Sequence, residues 1–144
     1  MDVPIEPARS DDLPAILSLL DQHRLPHAAI EQHLGDILVA RDGGRLVGCA
    51  AVERYGTAGL LRSVAVAPER RGSGLGIRLT TAALEDARAH GIRTVYLLTE
   101  TAADFFPRFG FHPVARTAVA PAVQQSVEFT SACSKTALAM VKEL

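Results

Sequence analysis

The sequence contains no tryptophan, and aromatic residues make up only 5% of it. Its two cysteines, Cys49 and Cys133, are too few for a disulfide framework. We interpret them as buried or half-buried thiols of a reducing compartment. The formal net charge is only −1. Charge therefore gives no reason to expect a nucleic acid or a membrane surface as a partner.

Long apolar runs are missing as well. No run approaches the length that a bilayer requires. The first residues, MDVPIEPARSDD, lack the basic stretch and apolar segment of a secretion signal, so we expect a cytoplasmic protein. The 144 residues are 48% hydrophobic and 22% charged, which is typical of one globular domain. We predict a single domain over residues 1–144.

The histidines do not form a ligand pattern. Five are present, scattered along the chain, and none is spaced from another as metal ligands are. We therefore predict no metal. The five are His23, His27, His33, His90 and His112.

Hydrophobic spacing in the first half predicts a strand, two helices and a three-stranded meander. Ser10, Asp11 and Asp12 are helix caps ahead of apolar residues at helical spacing. Asp42-Gly43-Gly44 is a hairpin signal, because glycine adopts the positive φ that such turns need. We predict a strand at 3–9, a short helix at 26–34 and strands at 36–41, 45–54 and 58–67, the last of them central because it is apolar on both faces.

The second half begins with a strand–helix–strand unit. A helix over 74–90 ends at Gly91 and leads to a buried strand at 93–98, which implies a parallel strand pair with a right-handed crossover. Its apolar stripe consists of Leu75, Leu79, Ala82 and Ala83, with Ile77 and Leu84 beside it. We further predict helical turns at 102–109, a short strand at 111–115, an irregular stretch at 117–134 and a last strand at 136–143.

The stretch RRGSGLG at 70–76 lies between a strand and a helix. It does not match a Walker loop, and its third glycine, Gly76, comes one position too early for a dinucleotide fingerprint. The first amides of a helix have no internal partner and attract anions. Glycines allow a phosphate to approach the backbone closely, and Arg70 or Arg71 adds charge. We predict a pyrophosphate site here; the alternative is a plain turn with solvated arginines.

VAVAPERRGSGLGIRLTTAAL resembles the acetyl-coenzyme-A-binding motif of the GCN5-related N-acetyltransferase (GNAT) superfamily, and FFPRFGF resembles that family's aromatic-rich helix and Gly-Phe turn. The resemblance implies an α/β (α+β) fold with a mixed, mostly antiparallel sheet, flanking helices and a central splayed parallel strand pair. It implies acetyl-CoA as cosubstrate. The residues that it places against acetyl-CoA are Val64, Ala65, Val66, Arg71, Gly72, Ser73, Gly74, Leu75, Gly76 and Phe106, the last of which is equally a core aromatic.

A narrower resemblance concerns the stretch YLLTETAADFFPRFGF and the tail PAVQQSVEFTSAC, which are similar to small acetyltransferases associated with arsenic resistance. It implies a small, amino-acid-like amine as acceptor, with arsenic- or phosphorus-containing analogues included. The weaker acceptor-site candidates Arg116, Ser126 and Glu128 come from this resemblance.

Acetyl transfer to an amine needs a donor for the oxyanion, a route for the amine's proton and correct orientation of both substrates. The backbone N–H of Val64 is our candidate oxyanion donor. The central strand lacks the glutamate of many family members, which leaves Glu53 and Glu100 as candidate bases, each also explained as a solvated or ion-paired carboxylate. The tyrosine of many relatives is replaced within FFPRF, so the general acid stays unassigned.

Arg62 interrupts an apolar strand, where an unpaired charge is costly. Two interpretations stay open: it binds an anionic group of the acceptor by a two-pronged contact, or it reaches the rim or pairs with a neighbouring carboxylate. The leading hypothesis is an acetyl-CoA-dependent N-acetyltransferase for a small, anionic amine. The alternatives are a catalytically silent acyl-CoA sensor and a protein or peptide N-acetyltransferase. We also keep a homodimer, common in the resembling family, as an alternative.

Overall fold

A computed structural model describes residues 3–25, 30–100, 102–126, 128–132 and 136–144, with no statement on the side chains of 131 and 132. Seven strands form one mixed sheet in the order β1-β2-β3-β4-β5-β7-β6. The strands are β1 (Ile5–Pro7), β2 (Ile37–Asp42), β3 (Arg45–Tyr55), β4 (Ala58–Val66), β5 (Thr94–Thr99), β6 (His112–Pro113) and β7 (Leu138–Glu143).

Only one of the described strand pairs is parallel, β4 with β5; the others are antiparallel. The predicted fold class, the three-stranded meander and the central position of β4 are therefore confirmed. The last strand is confirmed too, because β7 lies between β5 and β6 of its own chain.

In the part of the chain that the structure describes, three α-helices accompany the sheet: α1 (Leu13–Gln22), α2 (Leu75–Ala89) and the short α3 (Pro121–Gln124). Helix α2 lies close to β3 because Gly48 has no side chain; a Cβ there would come within 2.7 Å of Leu79 Cδ1. The buried face of α2 includes Leu75, Leu79, Ala83 and Leu84 of the predicted stripe, whereas Ala82 is only half-buried. Ile77 differs, because it is 40% exposed.

Two predicted segments differ from the structure. The helix expected over 26–34 is a 3-10 helix at Ile30–Asp36 with a backbone break at His33, and residues 26–29, including His27, lie outside the described residues. The expected irregular stretch 117–134 contains α3 and a π-helical turn at Glu128–Ala132. The sequence of this stretch shows no periodic apolar face that would predict helices. Its structure depends instead on contacts with residues that are distant in sequence.

A second core forms on the sheet face that α3 covers. Its buried members are Leu60, Val119, Val123 and Ala139, and the half-buried Tyr55, Tyr96 and Phe129 pack around them. Burial of this apolar surface fixes the C-terminal segment against β4. The segment thereby brings Glu128 to the middle of the sheet.

Candidate functional site

The sheet opens at its centre. Strands β4 and β5 pair at Ala58, Gly59 and Leu60, and no further pairing follows among the residues that the structure describes. Beyond Leu60, β4 runs along a cavity of about 560 Å³. The residues that line it include Val64, Ala65, Val66, Ala102, Asp104, Phe105, Phe106, Arg71, Gly76, Arg108 and His23. An extended ligand arm thus has both an apolar channel and strand backbone beside it.

A second, smaller cavity of about 250 Å³ lies at the glycine loop. It shares Val66, Arg71, Gly76 and Phe105 with the first cavity, so the two cavities are adjacent and these residues form part of both walls. Helix α2 begins directly after Gly74, which adopts a φ of +82° that disfavours other residues. The free amides of the first turn of α2 therefore border this cavity, and they suit an anion.

The two arginines of the loop have different surroundings. Arg70 forms an ion pair with Asp42 of the β2–β3 hairpin. Arg71 is exposed and lines both cavities. The Ser73 hydroxyl donates to the Arg70 carbonyl over 2.5 Å, which closes the turn from within. Arg71 is thus the better placed of the two for a phosphate.

Strand β4 contains an irregularity opposite β3. Cys49 faces Ala65 and Ala51 faces Arg62, so β4 has one residue more than β3 in this interval. Ser63 lies within it and has a φ of +61°. The Cys49 thiol donates to the Ser63 carbonyl over 3.1 Å. Burial raises the pKa of Cys49 to about 12, so the thiol stays protonated and able to donate.

Three charged side chains meet beside this irregularity, and we call Glu53, Arg62 and Glu128 the inner cluster. Arg62 Nη1 lies 2.9 Å from Glu53 Oε2, and Arg62 Nε lies 3.0 Å from Glu128 Oε2. The side chains of Glu53 and Arg62 are 0% exposed, and that of Glu128 is 5% exposed. In this structure Arg62 therefore pairs with neighbouring carboxylates from β3 and from the C-terminal segment.

Two further side chains contact Glu53. The Tyr55 hydroxyl donates to Glu53 Oε1 over 2.6 Å, and His33 Nε2 lies 3.5 Å from Glu53 Oε2. Burial, followed by the hydrogen bond to Glu53, raises the pKa of Tyr55 well above its usual range. His33 is 25% exposed and also approaches Asp36. Polar contacts thus connect the buried Glu53 to the surface.

The remaining candidate residues, Ser126, Arg116 and Glu100, lie in different parts of the structure. Ser126 is buried and accepts bonds within its own turn, from Thr130 at its carbonyl and from the Phe129 amide at its hydroxyl. Arg116 donates to the Ala137 carbonyl over 2.8 Å. Glu100 is exposed at the end of β5. The structure brings Glu53, Arg62 and Glu128 together, whereas the contacts described for Arg116 and Ser126 hold the C-terminal segment.

Sequence reasoning missed Phe105, Arg108, Tyr55 and His33. The Arg108 guanidinium lies 4.7 Å from the centre of the Phe105 ring, and both side chains line the two cavities. The sequence FFPRF, with an arginine three residues after Phe105, could have indicated this contact. No local signal marked His33, because its partner Glu53 is distant in sequence, and Tyr55 was missed although it lies only two residues after Glu53. Phe106 is buried against Phe111 and also lines the larger cavity.

Cys133 lies outside the described residues. Within the described part of the chain, no group of three His, Cys, Asp or Glu side chains has the arrangement of a metal site. No described helix is both long and apolar enough to cross a membrane.

Comparison with known proteins defines the class. The acetyltransferase (GNAT) domain family matches residues 33–113, more than half of the chain. An amino-acid acetyltransferase of Mycobacterium tuberculosis is 32% identical over 124 residues, covering 78% of this chain and 70% of the relative. The chain therefore belongs to the acetyltransferase (GNAT) domain family.

Other relatives are longer. An amino-acid acetyltransferase of Neisseria meningitidis is 30% identical over 118 residues, and the match covers 76% of this chain but only 27% of that protein. Among solved structures, N-acetylglutamate synthase from Neisseria gonorrhoeae, complexed with coenzyme A and N-acetyl-glutamate, superposes with a TM-score of 0.86 at 24% identity, covering 100% of this chain and 35% of that one. Rv2747 from M. tuberculosis, in complex with CoA, superposes with a TM-score of 0.83 at 25% identity. The match covers 98% of this chain and 99% of that one.

Proposed function

We propose that this chain is an acetyl-CoA-dependent N-acetyltransferase whose acceptor is the amine of a small amino acid, and that residues 1–144 form one catalytic domain. The observation that carries the proposal is the adjacency of two cavities that share lining residues, one along the open edge of β4 and one at the N-terminus of α2. An extended arm with a pyrophosphate at one end matches this shape. The names of the amino-acid acetyltransferase relatives support the acceptor class.

The first cavity and the loop fit coenzyme A by their chemistry. The amides of Gly72, Gly74, Leu75 and Gly76, with Arg71 beside them, are suited to the pyrophosphate, whereas the Ser73 amide donates to the Arg70 carbonyl. The backbone of Val64, Ala65 and Val66, beyond the last pairing with β5, is suited to the amide groups of the pantetheine arm. Phe106 supplies apolar contact from the opposite wall.

The reaction requires the amine nitrogen to form a bond with the thioester carbonyl carbon, after which the carbon–sulfur bond breaks and the thiolate leaves. The Val64 N–H is our candidate donor to the oxygen that becomes negative in between. Glu53 is our first candidate to receive the amine's proton through water, because it contacts Arg62, two residues before Val64. The exposed Glu100 is the second candidate.

The inner cluster favours an acceptor that bears both charge signs. Its guanidinium and two carboxylates are buried at the stretch of β4 that follows the last pairing with β5, next in sequence to the cavity-lining Val64. A free amino acid carries an ammonium and a carboxylate, and charges of both signs near the cavity favour such an acceptor. The names of the reported relatives give no support for arsenic- or phosphorus-containing acceptors, which stay a prediction for the assay.

The test is thiol release from acetyl-CoA with a panel of free amino acids, their phosphinic and arsenic-containing analogues, and peptides. We expect turnover with a free amino acid. Coenzyme A binding without turnover across the panel would favour the silent sensor, and turnover with peptides alone would favour a protein acetyltransferase.

A matched pair of glycine variants tests the coenzyme A site by calorimetry. Gly74→Ala strains the entry to α2 and should weaken coenzyme A binding about tenfold or more, because the first amides of the helix shift. Gly56, at φ +69° in the β3–β4 turn, has the same backbone demand but lies outside both cavities. Gly56→Ala should leave coenzyme A affinity unchanged. Equal affinities in both variants would contradict the proposed phosphate site.

A further inference from the structure

His23 follows the last residue of α1 and lines the larger cavity of the proposed site. The residue is half-buried, so it is neither enclosed in the core nor fully in solvent. Val64, the candidate oxyanion donor on β4, lines the same cavity. The fold thus brings a titratable side chain from α1 to the cavity in which the proposed function places the thioester.

A hydrogen bond to α1 fixes which nitrogen of the His23 ring is available. Nδ1 lies 3.0 Å from the Leu19 carbonyl oxygen. A carbonyl oxygen can only accept, so Nδ1 carries the hydrogen of this bond, and in the neutral ring Nε2 is then the nitrogen with a free lone pair. Nε2 has no hydrogen-bond partner among the residues that the structure describes.

The backbone around His23 is held as well. The Arg24 amide donates to the Asp21 carbonyl over 3.0 Å. The Leu25 amide donates to the Leu20 carbonyl over 2.9 Å, and these two bonds close the end of α1 with Arg24 in the left-handed region at φ +54°. Main-chain and side-chain bonds therefore orient His23 before a substrate binds, which favours proton transfer.

His90 at the end of α2 is a matched comparison. Its Nδ1 lies 2.8 Å from the Asp86 carbonyl oxygen, and the next residue, Gly91, is also in the left-handed region, at φ +87°. His90 is exposed, and it lines neither cavity of the proposed site. Closing a helix thus explains the carbonyl contact of both histidines, and the cavity is what distinguishes His23.

We propose that His23 Nε2 takes the proton of the acceptor amine and passes it to the departing thiolate. This inference rests on the proposed function and fills its unassigned general acid. As the neutral amine nitrogen bonds to the thioester carbon, its proton moves to Nε2; when the carbon–sulfur bond breaks, that proton goes to sulfur. The products are the N-acetyl amine and the coenzyme A thiol, and His23 is neutral again.

The charges near His23 suit a ring that is an imidazolium for part of the reaction. The carbonyl end of α1 favours a cation, and so does the Asp104 carboxylate, which lines the same cavity. The opposing charges that line this cavity are those of Arg71 and Arg108. Arg71 is already assigned to the phosphate of coenzyme A, whose negative charge offsets it.

Glu53 is less suited to this step. Its Oε1 accepts from the Tyr55 hydroxyl, and its Oε2 lies 2.9 Å from Arg62 Nη1. Its side chain is 0% exposed, and Glu53 is not among the residues that line the larger cavity. His23 therefore replaces Glu53 as the first candidate to receive the proton.

The experiment measures thiol release by four variants with an amino acid that the wild-type protein acetylates. His23→Asn removes Nε2 but retains a side-chain N–H for the Leu19 carbonyl, and His23→Ala removes both. His90→Asn and His90→Ala make the same changes at the end of α2. We expect both His23 variants to lower kcat about 100-fold or more with an unchanged KM for acetyl-CoA, and both His90 variants to stay within about twofold of the wild type.

Two readouts separate proton transfer from a structural role. A base acts in its neutral form, so the wild-type rate should rise between about pH 5 and pH 8, where histidine changes charge, and His23→Asn should lose this rise. Free imidazole should restore part of the turnover of His23→Ala and leave His90→Ala unchanged, after subtraction of an enzyme-free imidazole blank.

The outcomes separate the inference from the proposed function. If His23→Asn keeps the wild-type kcat and pH profile, the inference is overturned and Glu53 or Glu100 remains as the proton acceptor. An equal loss in the His90 variants would also overturn it. Neither result affects the acetyltransferase assignment, whereas absence of wild-type turnover with every amine of the panel would overturn both. Circular dichroism and the unfolding midpoint of each variant identify any loss that comes from misfolding.

Discussion

Two clusters in this protein each place one arginine between two carboxylates, yet they differ in exposure and location. The edge cluster consists of Glu6, Asp12 and Arg41. Arg41 donates to both oxygens of Asp12 over 2.6 and 2.5 Å and to Glu6 over 2.5 Å. It joins β1 and the turn before α1 to β2. Glu6 is 36% exposed, so water shares in the solvation of the edge cluster.

The inner cluster is enclosed, because none of its three side chains is more than 5% exposed. Arg62 contacts Glu53 with Nη1 and Glu128 with Nε. Arg41, in contrast, forms two parallel hydrogen bonds to the single carboxylate of Asp12. Burial makes such charges expensive to separate, since neither partner regains water. The edge cluster thus stabilises the margin of the sheet, whereas the inner cluster joins β3 and β4 to the C-terminal segment.

Replacement of the two arginines should give the largest difference. Arg62→Met leaves Glu53 and Glu128 without their guanidinium in a buried place, and we expect a loss of about 3–5 kcal/mol in the free energy of unfolding. Arg41→Met should cost less, because Glu6 can turn to water. Denaturant unfolding at neutral pH measures both. Equal losses would show that enclosure does not distinguish the clusters.

Acid should weaken the edge cluster at a defined pH. The hydrogen bonds from Arg41 lower the pKa of Asp12 from 3.8 to about 2. A folded-state pKa below the unfolded value means that Asp12 contributes stability above about pH 4, and that this contribution is lost as the pH falls through the folded pKa. The difference corresponds to about 2 kcal/mol.

The measurement is unfolding free energy from pH 6 to pH 2 for the wild type and Asp12→Asn. The difference between the two proteins should be largest at pH 6 and shrink below pH 4. A constant difference over this range would mean that the charge of Asp12 contributes nothing, and that only its hydrogen bonds to Arg9 and Arg41 matter.

The smallest effect is expected for Glu6→Gln. Because Glu6 is 36% exposed and Arg41 keeps both bonds to Asp12, this change should cost less than about 1 kcal/mol and leave acetyl transfer unchanged. Glu128→Gln is its counterpart in the inner cluster and should reduce both stability and kcat/KM for the amino acid. Unfolding and thiol-release assays on both variants make the comparison. Equal effects of Glu6→Gln and Glu128→Gln would show that the edge and inner clusters do not differ in their contributions.

Much of the fold follows from local sequence patterns. The Asp42-Gly43-Gly44 turn and the hydrophobic stretches on either side of it predicted β2 and β3, and Gly91 marked the end of the α2 region. The loop before α2 also had a local signature, because glycines and arginines ahead of a helix have a direct physical meaning. The C-terminal segment gave no such pattern, since α3 and the turn 128–132 are held by contacts with distant strands.

The amino-acid sequence by itself determined the order of the strands along the chain, the crossover through α2 and the glycine loop, because each depends on residues that are neighbours in sequence. Only the tertiary structure decided that Arg62 pairs with Glu53 and Glu128, and that Ser63 has a left-handed backbone and a buried hydroxyl with no partner among the described residues. Those features depend on how β3, β4 and the C-terminal segment pack together. The cost of burying charge and hydroxyl groups is set by surroundings that no local pattern encodes.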